Sequence, residues 1–396
     1  MGCPEEEPAL SPEPLTVEIV DSVGAVPAEA WDALLGPPDE ASPFLQHRFL
    51  RALEEAGTLG PDTGWIPRIP LVKRGDVLVA AAPAYVKLHS QGEFVFDFSW
   101  AHFAEQAGLP YYPKLLVGVP FTPVTGRRLL TREGEDRPAL MAAMGEVFEE
   151  LCRAMDLSSV HVNFACEDEV AALVGQGYLH KLGIQYHWKR HGERSFEEYL
   201  GRFNSKRRNQ LRRERRGFAE QGLSFSVHRG AELDDADVKT AFRIYKTTVD
   251  KFYWGRQYLN LKVFQLWAAR MGDAMELVAA RDANGAIVAG AVNFASSRRL
   301  FGRYWGTFQE VRNLHFEVCY YRGIEEALER GLDVFEPGAG GEHKLVRGFE
   351  PTLMHSAHLL VDQRLHGAIG RHLEEERRRV RQEQMLMMES LGQRRG

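Results

Sequence analysis

The chain has 396 residues, 44% hydrophobic and 26% charged, which is the composition of a globular protein long enough for two ordinary domains. Its formal net charge of -6 hides a polarised distribution: residues 1–40 hold ten acidic side chains and no Lys or Arg, whereas residues 202–216 hold eight basic ones against Glu214 alone. Such asymmetry speaks of partners rather than of fold.

Cys3, Cys152, Cys166 and Cys319 show no CxxC spacing and are too few for a disulfide framework, so a reducing cytoplasm is expected. The start, "MGCPEEEPALSPEP", lacks an apolar h-region and carries Glu at position 6, against both a signal peptide and myristoylation. Residues 1–14 read as a disordered acidic tail. No run approaches the ~20 apolar residues of a spanning helix.

In chain order, Ser42 caps an amphipathic helix in "SPFLQHRFLRALEEAG". "DVLVAAAPAYVKLHSQGEFVFDFSWA" reads as two strands joined at 90–93, with Phe94, Phe96 and Phe98 alternating against Val95 and Asp97. A Pro-rich connector leads to a helix at about 137–155, the strand "SSVHVNF", a short helix and "GIQYHWKR". A second half opens with one long helix over "SFEEYLGRFNSKRRNQLRRERRGFAEQG", with Ser195 as cap and Glu198 at the capping-box position. A strand ("LSFSVHR"), helices at roughly 234–250 and 257–272, and a meander ("AMELVAARD", "AIVAGAVNFASS", "RRLFGRYWGT") follow, the first two meander strands joined at Asp282-Ala283-Asn284-Gly285. A helix at about 313–330 feeds the strand "LDVFEP", a glycine loop, the strand "LMHSAHLLV" and a charged helix at about 364–392 that is free to dimerise, dock or stay loose. A meander whose next helix crosses back onto a mixed sheet is the layout of a GNAT acyltransferase, and the order recurs in both halves. The expected fold is therefore α/β with mixed sheets, as tandem GNAT-like domains at 15–191 and 192–363, with 364–396 as a helical tail.

The loop "FEPGAGGEHKLVRGFEP" fails the Walker pattern at His343 and Leu345, and fails GxGxxG at His343, with no helix expected directly behind it. A zinc reading would use His343 with Glu342, and His355 or His358, but adjacent residues on an extended chain face opposite ways. The bland alternative is a Gly turn followed by solvated charges. Its place after a central strand favours a ligand site.

"HSQGEFVFDFSWA", "YYPKLLVGVPFTPVTGRRLL", "VHVNF", "QYHW", "LHFEVCYYRGIEEALERGL" and "GEHKLVRGFEP" together resemble the Fem-like N-acyltransferases, the peptidoglycan biosynthesis or recognition proteins, over about residues 42–362. The resemblance implies a tandem GNAT-like fold and kinship with the Fem ligases, which move an amino acid from aminoacyl-tRNA to an amine of a peptidoglycan precursor. Two features depart from the pattern. No paired heptad insertion matches the Fem coiled-coil arm. "VRNLHFEVCYY" puts His315 and Glu317 where the acetyl-CoA pyrophosphate motif has glycines, so the usual CoA grip is absent there.

Amide formation needs a base, oxyanion donors and positioning. Glu317, in the first turn of its helix, His343, His315 and Tyr321 are the catalytic candidates, with Tyr320 and Tyr321 spaced to reach Glu317, the alternative being a buried hydrogen-bonded network that pins helix to strand. Glu342, Lys344 and Arg347 are placed beside them as substrate-binding groups, the last two on anionic charge. Tyr304 and Trp305, and from the first half Lys87 and Asp97, are further substrate-binding candidates, with core packing as the alternative. In the Arg-rich helix Phe203, Leu211 and Phe218 form one thin apolar stripe. Arg207, Arg208, Arg212, Arg213, Arg215 and Arg216 cover the rest, for phosphate on tRNA, a nucleotide-linked precursor or an anionic membrane surface, unless the acidic tail neutralises them. No metal or bound cofactor is expected, the activated donor being a co-substrate: aminoacyl-tRNA before acyl-CoA. The alternatives are a non-catalytic protein that binds a precursor or RNA, and an acyl-CoA-dependent enzyme. Oligomeric state stays open.

Overall fold

The computed structural model describes residues 13–37, 41–251 and 257–395. Eleven strands form one sheet in the order Ser224–Arg229, Met275–Arg281, Ile287–Ala295, Arg299–Thr307, Val334–Glu336, Leu179–Lys189, Glu350–Leu360, Ser159–Ala165, Lys114–Val117, Ala84–Lys87, Trp65–Pro67. Pairing is antiparallel except at Arg299–Thr307 with Val334–Glu336, and at Lys114–Val117 with Ser159–Ala165. A separate four-stranded antiparallel sheet holds Leu15–Val20, Ile69–Arg74, Val77–Ala81 and Leu130–Thr131. The final strands of the two halves are exchanged. Leu179–Lys189 lies against Val334–Glu336, and Glu350–Leu360 lies against Ser159–Ala165.

The meander and its turn form as expected, Asp282 Oδ1 accepting from the amides of Asn284 and Ala286. Helix His47–Glu55 turns its buried Phe49 onto Trp267 of helix Leu261–Met271, rings stacked at 4.8 Å, and so joins the halves through apolar contact. The C-terminal helix Gln363–Arg395 docks: Leu365, Ile369 and Leu373 pack with Trp100, Ala104 and Tyr111, and Lys181 pairs with Glu376 at 2.6 Å. No helix among the described residues is long and apolar enough to cross a membrane. The expected tail lies, but for residues 13 and 14, outside the described residues.

Five local expectations fail. Residues 88–97 are not a strand: Gly92 and Phe94 are left-handed (φ 79° and 59°), and helix Phe98–Gln106 follows. Glu93 and Asp97 turn inward to a buried lysine there, leaving the phenylalanines outside. The long Arg-rich helix is two, Phe196–Leu200 and Ser205–Glu220, because Asn204 caps a fresh start through its side chain to the Arg207 amide. Ser195 caps the first, but Glu198 reaches back to the amide of Arg194 rather than to that of Ser195. The helix starting near 314 is interrupted by a π turn at Glu317–Tyr321. Ser42 gives its helix no side-chain cap, a 3-10 turn preceding His47.

Candidate active site

Strands Arg299–Thr307 and Val334–Glu336 run parallel but share only three register pairs, ending at Phe301 and Glu336. Their pairing ends there, although Gly302 still lies close to Pro337, where a Cβ would stand 3.2 Å from Pro337 Cα, and the strands separate only beyond it. Such a split beyond a strand's carboxyl end is where open α/β sheets take ligands. A cleft of about 300 Å³ fills it, walled by Arg303, Tyr304 and Trp305 on the strand and by Gly338–Gly341 on the loop. Asn293, from the neighbouring strand, and Thr248 complete that wall, the Thr248 hydroxyl donating to the Trp305 carbonyl.

The loop does not run on extended. Gly338, Gly340 and Gly341 all take positive φ (89°, 73° and 93°), a region that strains other residues, and a 3-10 helix, Glu342–Arg347, opens directly behind. That correction brings His343 and Lys344 into the cleft together. Lys344 is 2% exposed and its ammonium donates to the Gly338 carbonyl. Burial lowers its pKa to about 8. His343 Nε2 lies 2.8 Å from the Tyr320 hydroxyl. Its pKa is lowered by partial burial and by the cations Arg347 and Lys344, so the ring is neutral at pH 7. His315 enters the same cleft edge-on to Trp305, Tyr320 and His343, at ring separations of 5.0, 5.1 and 5.7 Å.

The other candidates divide. Glu317 does not line this cleft. It is buried between Arg215 (2.9 Å) and Arg322 (3.0 Å), beside a separate groove of about 420 Å³. Neither tyrosine hydroxyl bonds to it, because the π turn displaces the i+3 and i+4 positions: Tyr320 goes to His343 and Tyr321 donates to Glu214 at 2.6 Å. Arg347 is 4% exposed, bonding Tyr321, Glu214 and the His343 carbonyl, with its guanidinium 3.4 Å from the Phe316 ring centre. It holds the backbone of His343 rather than facing a ligand. The Glu342 side chain lies outside what is described.

In the Arg-rich helix the apolar stripe Phe203, Leu211 and Phe218 is buried as expected. The remaining surface is not uniformly free. Arg207 donates to the Val346 carbonyl, Arg208 to those of Leu200 and Phe203, and Arg215 pairs with Glu317 and Glu325. Arg212 meets Glu197, while Arg213 and Arg216 are exposed. Arg212, Arg215, Arg216 and Arg322 line the second groove. Lys87 and Asp97 line neither groove and enter a separate buried ionic cluster. His355 and His358 bond different histidines, His180 and His161.

Sequence reasoning missed Tyr320 as the histidine's partner, and missed Arg303, Asn293 and Thr248. Only the meander register, helix Asp235–Lys251 and the crossover helix together bring these to one place, and no local spacing signals it.

A family model described as FemAB-like, peptidoglycan biosynthesis/recognition, matches residues 22–395. Among solved structures the chain is similar to FemX (14% identity, TM-score 0.52, covering 87% of this chain and 98% of that one). It is also similar to L-PGS from Bacillus licheniformis (12%, 0.50, 85% and 98%) and to a conserved protein of unknown function from Bacteroides thetaiotaomicron (9%, 0.50, 87% and 99%). At such identities the likeness is one of fold. No curated protein sequence matches the chain significantly.

Proposed function

The chain belongs to the FemAB-like family and has its tandem GNAT-like fold, and from that premise we propose that it is an N-acyltransferase working in the cleft between Arg299–Thr307 and the glycine loop. Residues 15–191 and 192–363 are its two acyltransferase-like halves. The reaction moves an aminoacyl or acyl group from an activated donor to an amine, the acceptor being a peptidoglycan precursor as the family description suggests. The carrying observation is the convergence of the hydrogen-bonded Tyr320–His343 pair with buried Lys344 where two parallel strands separate.

In this reading the acceptor nitrogen attacks the donor carbonyl. The Tyr320 hydroxyl takes the amine proton as it passes its own to neutral His343. As the tetrahedral intermediate collapses, the bond to the donor's ester oxygen or thioester sulfur breaks, and that atom leaves with the proton returned from His343 through Tyr320. The Lys344 ammonium, pointed into the cleft by the Gly338 carbonyl, stabilises the oxygen on which charge develops. His315, Trp305 and Tyr304 form the wall against which the acyl group rests, and Arg347 positions His343. Aminoacyl-tRNA is favoured over acyl-CoA, since the segment 312–316 offers no glycine to bare its amides to a pyrophosphate. Exposed Arg213 and Arg216, with Arg212, are the phosphate contacts along the helix.

A second reading, a non-catalytic protein that binds a precursor or RNA, draws on one observation: Glu317 and Tyr321 are consumed in structural bonds. Binding of labelled aminoacyl-tRNA with acetyl-CoA as competitor, over a salt series, tests the donor. Steep salt dependence that survives CoA supports it, and displacement by CoA sinks it. His343→Ala separates the readings: lost transfer with intact binding is the enzyme's outcome, unchanged cellular function is the binder's.

A further inference from the structure

Lys87 and Lys114 stand directly opposite one another on adjacent antiparallel strands, and neither side chain reaches solvent. Like charges facing across a ladder repel, and a buried ammonium is costly unless it is paired. The counter-charge does not come from the sheet. It comes from one irregular segment, residues 88–97. Glu93 Oε2 lies 2.9 Å from Lys114 Nζ and Glu93 Oε1 lies 3.7 Å from Lys87 Nζ, while Asp97 Oδ2 also contacts Lys114. One oxygen of each acid, Glu93 Oε1 and Asp97 Oδ1, is buried with no hydrogen-bond donor, Glu93 Oε1 having only the longer contact to Lys87.

The segment is built inside out. Its two acids are buried, whereas its Phe94 and Phe96, and Phe98 opening the next helix, are 36%, 72% and 52% exposed. Leaving such side chains partly in water forgoes part of the burial free energy of a phenylalanine, and Phe94 is held left-handed besides. The cations are fixed by ladder bonds, whereas Glu93 sits in the loop and Asp97 at the start of helix Phe98–Gln106, where Tyr111 also donates to it, so the anions are the part able to leave. Burial lowers the Lys87 ammonium to about 7, whereas at Lys114 the same burial is outweighed by Glu93 and Asp97.

We propose that residues 88–97 are a tethered stand-in for a ligand bearing two carboxylates, and that displacing Glu93 and Asp97 opens a site on Lys87 and Lys114 for a dicarboxylate of the acidic-peptide class. Such a ligand restores charge neutrality and replaces the acids one for one. The loop lies one residue away from the cleft wall, through Phe121. A Cβ at Gly92 would stand 2.8 Å from the Phe121 ring, and the Phe121 carbonyl accepts from Arg303 of the cleft at 2.7 Å. Loop displacement therefore bears on the cleft wall, and the site stands whatever group the cleft transfers.

The test is chymotrypsin cleavage of the full-length protein with glutarate as probe, sites mapped by mass spectrometry, and acetate and inorganic phosphate as controls. Glutarate is expected to accelerate cleavage within residues 88–98 by about tenfold, saturably, by drawing the population toward the displaced loop, while acetate does not. The double variant Glu93→Gln, Asp97→Asn is expected to be cleaved as fast without ligand and to respond to less glutarate. No saturable acceleration of the wild-type protein overturns the proposal, as does phosphate acting where glutarate does not. Should the double variant lose its near-UV circular dichroism, the wild-type titration alone decides.

Discussion

The Tyr320 hydroxyl and Nε2 of His343 lie 2.8 Å apart, one from the turn after a crossover helix begins and the other from the 3-10 helix behind a glycine loop. The pair exists because a π turn rotates Tyr320 away from Glu317 and toward the cleft, and because three left-handed glycines fold the loop back. Beside it Lys344 carries a lowered pKa of about 8. His343, lowered from 6.5, serves as a base only when neutral, and Lys344 serves only when charged. Transfer should therefore be bell-shaped in pH, falling in acid below the ordinary histidine range and in base above about 8. Measured kcat/KM profiles check this. His343→Gln should remove the acid limb and Lys344→Met the alkaline one.

Lys114 is fully buried against Glu93 and Asp97. Lys114→Met strands two carboxylates and should cost about 3–5 kcal/mol by denaturant unfolding. At Asp97 burial raises the pKa, but Lys114 outweighs it and the net shift is downward. Its contribution to stability is thus present above the unfolded carboxylate pKa and is lost as pH falls through the folded value. An acid-limb loss of stability that Asp97→Asn reduces is the expected result.

The arginines of helix Ser205–Glu220 should separate into two classes. Arg213→Ala with Arg216→Ala should leave unfolding within about 0.5 kcal/mol of wild type, while lowering the salt slope of RNA binding by about 2. Arg215→Ala leaves buried Glu317 short of a partner, so its main effect should be destabilisation, of about 3–5 kcal/mol. Equilibrium unfolding and filter binding on the same variants distinguish the two.

Arg347 touches the His343 carbonyl and Glu214 but not the cleft. Arg347→Lys cannot reproduce this fork of contacts. It should lower kcat by about tenfold or more with little change in KM, since it misplaces the base without removing a ligand contact. Steady-state kinetics on the folded variant are the check.

Much of the fold is legible from residues alone. The meander strands announce themselves by apolar runs and an Asp-Ala-Asn-Gly turn, and helix Arg137–Ala154 by its period, because both signals are local. The arm at 94–98 alternates as a strand should, yet the charges it carries, Glu93 and Asp97, are claimed by a lysine 21 and 17 positions away, and long-range ion pairing overrides the pattern. His343, Lys344, His315, Trp305 and Tyr304 were readable as one cleft once the fold was assumed. Glu317 and Tyr321 were not, because an i+4 argument supposes an α-helix and the turn there is a π one. The arginines looked uncompensated because their partners, Glu317, Glu325 and backbone carbonyls, belong to segments distant in sequence.

The most direct test of the cleft is single-turnover transfer from aminoacyl-tRNA to a peptidoglycan precursor amine by wild-type protein, His343→Gln and Glu317→Gln, with donor binding measured in parallel. The predicted result is transfer by the wild type, a loss of about 10²–10⁴-fold in His343→Gln at unchanged donor affinity, and a Glu317→Gln defect that tracks its lost stability. Wild-type transfer that persists undiminished in folded His343→Gln would contradict it.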